Sequence, residues 1–164
     1  MKRIVQIIFI AITIFIYPKF SYSQPEVTQW CVRQITESEA KYTDVFNTSR
    51  TLTKSIKDLL VMFEASNSNQ LDSIVLSSSV LALAIQANSL HLITVGRTKK
   101  ASKGDEWIEF VSSNILNEIS THLINIDDSM NKIILVAPHA RQREEARIIR
   151  QLTRDFKEKV ACRK

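Results

Sequence analysis

The sequence predicts an all-α protein, an antiparallel bundle of about four long helices with its termini joined by a disulfide. Three observations point there. Glycine and proline are scarce, two and three in 164 residues, so few positions break a helix. Apolar residues recur every three or four positions through four long stretches, the period of one helix face. The polar breaks between those stretches are short, which favours antiparallel neighbours.

The chain opens on a segment of another kind. Lys2 and Arg3 precede the apolar run from Ile4 to Tyr17, and Pro18 ends it. The run is shorter than the roughly 20 residues a membrane-spanning helix needs. Ser21 and Ser23 are small residues at the −3 and −1 positions of a cleavage site. Residues 1–23 therefore read as a secretory signal peptide, and residues 24–164 as one secreted or periplasmic domain. Thr28-Gln29-Trp30 before Cys31 is not a lipid-attachment pattern.

Export changes the reading of charge and sulfur. The chain carries 22 basic and 17 acidic residues. Removing Lys2, Arg3 and Lys19 leaves 19 basic, so +5 falls to +2. That balance gives no reason to expect a nucleic-acid partner. Cys31 and Cys162 are the only cysteines, one near each end of the exported chain. In an oxidising compartment a Cys31–Cys162 bridge is the main reading. Two buried free thiols, or a bridge between chains, are the alternatives.

The elements follow in order. The first helix is expected from about Val27 to Ala65, with Cys31, Ile35, Tyr42, Val45, Leu52, Ile56, Leu59 and Phe63 on one stripe. Ser38 and Ser49 dilute that stripe. Ser66-Asn67-Ser68-Asn69 is a turn by composition. The second helix is expected from about Gln70 to Val95. It has no charge between Asp72 and Arg97 and many small residues, so it reads as the buried helix, apolar on most faces. The stretch from Gly96 to Gly104 reads as a basic loop, with Arg97, Lys99, Lys100 and Lys103. Asp105 is an N-cap, with Glu106 and Glu109 early in a third helix where the dipole favours acids. That helix is expected to end at Val136, before Pro138. The dense Ile133-Ile134-Leu135-Val136 also suits a short extended piece. The fourth helix is expected from about His139 to Ala161, with Ile149, Leu152, Phe156 and Val160 facing inward. Arg143, Arg147, Arg150, Arg154 and Lys157 make a second stripe, roughly 140° round the helix.

In an up-down-up-down bundle the first helix begins, and the fourth ends, at one pole. Cys31 and Cys162 then meet there, and the 96–104 loop adds its cations to Arg33, Lys157, Lys159, Arg163 and Lys164.

Catalytic and cofactor patterns carry little weight. Ser38-Glu39-Ala40-Lys41 matches Ser-x-x-Lys without its companion motifs. Glu118 and His122 share one helix face, but no Glu-x-x-His pair or Cys-x-x-Cys-His occurs. No cofactor or metal is expected. Asp127-Asp128 reads as an exposed acidic pair rather than a calcium site. Asn47-Thr48-Ser49 is a glycosylation sequon lying mid-helix.

The expected function is non-catalytic binding, by an inhibitor, an immunity-type factor or an accessory component of an envelope or secretion apparatus. The arginine stripe and basic pole are the candidate contacts for an acidic envelope or extracellular protein, or for an anionic membrane surface. Reversing Arg147, Arg150 and Arg154 to Glu is expected to abolish capture and leave the bundle folded. A membrane-active or self-assembling protein using the uncharged helix is the alternative, and a metal-binding bundle a weaker one.

Overall fold

A computed structural model describes residues 39–65, 69–99 and 105–161. These form four helices, α1 (Glu39–Glu64), α2 (Asn69–Lys99), α3 (Asp105–Val136) and α4 (Ala140–Ala161), and no strand. The expected helix between Val27 and Ser38 lies outside the described residues, as do Cys31 and Cys162.

The helices close into a ring. α1 packs on α2, α2 on α3 and α3 on α4, and α4 returns to α1 through the smallest of the four seams. Cross-helix contacts give the directions. Near the start of α1, Lys159 Nζ lies 3.0 Å from Asp44 Oδ2. Near its end, Gln142 Nε2 donates to the Met62 carbonyl at 3.4 Å. α4 therefore runs antiparallel to α1. On the α2 side, Tyr42 meets Gly96, and Thr53 Oγ1 donates to the Ala82 carbonyl at 3.3 Å. α2 is antiparallel as well, so the start of α1 and the ends of α2 and α4 share one pole.

One core fills the ring. α1 contributes Leu52, Ile56, Leu59 and Phe63; α3 contributes Leu116, Ile119, Leu123, Ile126 and Met130; α4 contributes Ile149, Phe156 and Val160. The inner side of α2 is smaller, with Val75, Ser78, Ala82, Ile85 and Ser89 beside Leu92. Buried hydroxyls turn back on their own helices, as in Ser78 to Ile74, Ser89 to Ile85 and Thr153 to Ile149, at 2.7–2.9 Å. The backbone carbonyl thus satisfies a donor that the apolar core would leave stranded.

Three expectations need correction. α2 does not stop at Val95 but continues to Lys99, placing Gly96, Arg97 and Lys99 on helix rather than loop. The helix persists through Gly96 because α1 packs its Tyr42 ring there, a long-range contact that overrides the local breaker. Ile133–Val136 is the last turn of α3, not an extended piece, and Ala137 N–H continues its pattern onto the Ile133 carbonyl at 2.9 Å. Finally, α2 is not buried all round. Each helix of a four-membered ring touches two neighbours and the core, so one face must look outward.

Candidate interaction surfaces

The α4 arginine stripe is engaged within the bundle. Arg143 donates from one terminal nitrogen to the Ala137 carbonyl at 2.6 Å and the Pro138 carbonyl at 3.0 Å, holding the α3–α4 turn. Arg150 Nε and Arg154 Nε both donate to Asp127 Oδ1, at 3.1 and 2.9 Å. Arg147 pairs with Glu144 at 2.9 Å, and both side chains are well exposed. Lys157 is half-buried beside a groove of about 540 Å³ whose walls also carry Asp127, Asp128, Arg154 and Glu158. Carboxylates are interleaved with the cations there, so the groove presents mixed charge. Asp127 is accordingly no exposed acid but the half-buried anchor of the α3–α4 seam.

That geometry corrects the expected behaviour of the triple reversal. Glu at positions 150 and 154 would set two carboxylates against Asp127, and the seam itself would weaken. Lost capture in that variant would say nothing about a partner. Of the three arginines to be reversed, only Arg147 sits in a solvent-facing pair on its own helix.

At the basic pole, Arg97 is exposed on α2. Lys99 is the last residue of α2, while Lys100 and Lys103 lie outside the described residues. Lys159 is committed to Asp44 and also reaches Thr48 Oγ1 at 3.3 Å.

The acidic and imidazole groups do not converge. Glu118 Oε2 accepts from Asn88 Nδ2 at 3.0 Å, across the α2–α3 seam, rather than joining His122. Among the described residues, no three His, Cys, Asp or Glu side chains gather closely enough to hold a metal ion. Within the sequon, Asn47 is exposed on α1 but Ser49 is fully buried and bonded to the Phe46 carbonyl at 2.6 Å. Ser38 lies outside the described residues.

The outward face of α2 holds what sequence reasoning missed. Leu76, Val80, Leu83 and Leu90 are exposed, from 47% at Leu83 to 60% at Val80. With Ala87 and Thr94 they occupy positions 76, 80, 83, 87, 90 and 94, also exposed. The steps alternate four and three, the spacing of a helix–helix seam. The signal lay in the sequence, interleaved with a second apolar row at 75, 78, 82, 85, 89 and 92. With both rows apolar or small, periodicity could not tell the inner from the outer. The segment Leu71–Arg97 is also long and apolar enough to cross a membrane, although a third of its most apolar window is buried in the bundle.

Compared with known protein families, with curated proteins and with solved structures, the chain gives no match.

Proposed function

We propose that the chain is an exported, non-catalytic binding protein that meets another protein through the outward face of α2. The carrying observation is the row Leu76, Val80, Leu83 and Leu90, four large apolar side chains left about half in water. Large apolar side chains lined along one exposed helix face mark interaction sites. Their burial is worth about 25 cal/mol per Å² of apolar surface removed from water. The surrounding α2 residues are uncharged from Ser73 to Gly96, so no ion needs to be desolvated when a partner covers the row. An inhibitor, an immunity-type factor and an accessory envelope or secretion-apparatus component all fit such a surface. The leader-like residues 1–23 support export, and oxidation of Cys31 with Cys162 belongs to the same proposal.

The length and apolarity of α2 favour a second reading, a membrane-active protein whose α2 leaves the bundle. Against it, α2 packs between α1 and α3 and contributes Val75, Ala82, Ile85 and Leu92 to the core, so insertion would open the core.

Capture from native envelope separates the surfaces. The full chain, expressed with its leader, is used as bait and its captured proteins are read by mass spectrometry. Leu83→Glu should lose the capture and Arg147→Glu should keep it. The opposite pattern would move the contact to α4.

A further inference from the structure

We infer that the outward face of α2 pairs with the same face of a second copy of this chain, the two α2 helices running antiparallel about a twofold axis. The inference rests on the protein-binding reading of that face and names its partner.

The spacing is self-complementary. The steps from 76 to 94 read four, three, four, three, four in either direction, so reversal leaves the row unchanged. At 100° per residue, the six positions fall within roughly 80° of arc, a seam that faces one neighbour. Antiparallel pairing sets Leu83 against Ala87 of the second copy, Val80 against Leu90 and Leu76 against Thr94, each layer occurring twice. Large residues thereby meet smaller ones, as close packing requires. The central Ala87 and the flanking Ser73, Ser77 and Ala84 let the helices approach closely.

Charge selects this direction. The uncharged row ends at Asp72 on one side and Arg97 on the other. Both lie on the same edge of the seam, within about 60° of its centre. The antiparallel register brings Asp72 of one copy to within about one residue of the level of Arg97 in the other. A parallel pair would instead put the two Asp72 residues at one level and the two Arg97 residues at another, on opposite edges of the seam, and would form no ion pair between them. The twofold closes both ends with an ion pair, and the interface is isologous, ending at a dimer.

The test is sedimentation velocity on the full chain, expressed with its leader, beside thermal melting. The chain should be a dimer. Leu83→Glu, at an exposed site that leaves the core untouched, should weaken association at least about 100-fold, and it should melt like the parent diluted to its monomer. Asp72→Arg should weaken it about tenfold, and Asp72→Arg with Arg97→Asp should recover to within about threefold of the parent. A dimer indifferent to Leu83→Glu overturns the inference. So does a swap that leaves association as weak as Asp72→Arg alone. A monomer whose Leu83→Glu form still loses an envelope partner overturns the second copy and keeps the protein-binding reading. Two further outcomes overturn both. One is a monomer that pellets with phosphatidylglycerol-containing vesicles unless Leu83 is changed. The other is a monomer that Leu83→Glu destabilises, its own chain then covering the face.

Discussion

Tyr42 of α1 fills the space where Gly96 of α2 lacks a side chain. A Cβ built on Gly96 would stand 2.6 Å from Tyr42 Cε2 and 2.8 Å from Cζ. The ring is itself buried, so it cannot swing aside freely. Inside a helix, Gly→Ala ordinarily stabilises by about 0.5–1 kcal/mol. Here overpacking wins: Gly96→Ala should destabilise by about 1–3 kcal/mol. In a Tyr42→Ala background the same change should become neutral or stabilising. Denaturant melts of the two single variants and the double variant check the reversal of sign.

Asp127 serves two arginines, and they are unequal. Arg150 is 27% exposed and Arg154 is 51% exposed, while Asp127 itself is 24% exposed. Solvent screening therefore favours the Arg150 contact. Asp127→Ala should cost about 1–2 kcal/mol. Arg150→Ala should cost more than Arg154→Ala, and double-mutant cycles should give the larger coupling for Asp127 with Arg150. Added salt should erode the Arg154 coupling first. Equal couplings would mean that the exposure difference does not govern the pair.

The contrast between α2 and α3 shows where local signals run out. The bounds of α3 were legible because Asp105, a residue type favoured at helix starts, stands at its first position and Pro138 forbids its continuation, both within one turn of the ends. The end of α2 was not, since the residue that carries the helix past Gly96 is Tyr42, on another helix. The inner and outer rows of α2 were equally apolar, and only the ring of four helices decides between them. The arginine stripe was legible as a row but not as an engaged one. Its pairing with Asp127 depends on the α3–α4 register, which no spacing within α4 encodes.

Arg143 holds the turn between α3 and α4 by capping carbonyls that the end of α3 leaves without helical donors. Its two bonds reach Ala137 and Pro138 from one terminal nitrogen. Arg143→Ala should cost about 1–2 kcal/mol, the value of a charge-assisted bond to an otherwise unpaired carbonyl. Amide exchange should accelerate around Ala137 and the first turn of α4, and stay slow at Ile119. Global acceleration would mean instead that the turn is not an independent unit.

The salt bridge of Asp44 with Lys159 bears directly on the proposed Cys31–Cys162 bridge. It sets the start of α1 level with the end of α4. Continued as helix, α4 would carry Cys162 about 5 Å past Lys159, whereas a straight α1 would carry Cys31 about 20 Å past Asp44. A disulfide needs its two Cα atoms within about 7 Å. An unbroken helix from Val27 and an intramolecular bridge therefore exclude one another. If the proposed export holds, the bridge is favoured and helical chemical shifts should not run unbroken from Val27 to Glu64. Thiol titration of the secreted, denatured protein should find no free sulfhydryl, and peptide mapping should recover a Cys31–Cys162 cross-link from the monomer band. Reduction should lower stability by up to about 5 kcal/mol, the chain-entropy value for so long a loop. Helical chemical shifts running unbroken from Val27 to Glu64, beside two titratable thiols, would remove the sulfur argument for export and leave it resting on residues 1–23 alone.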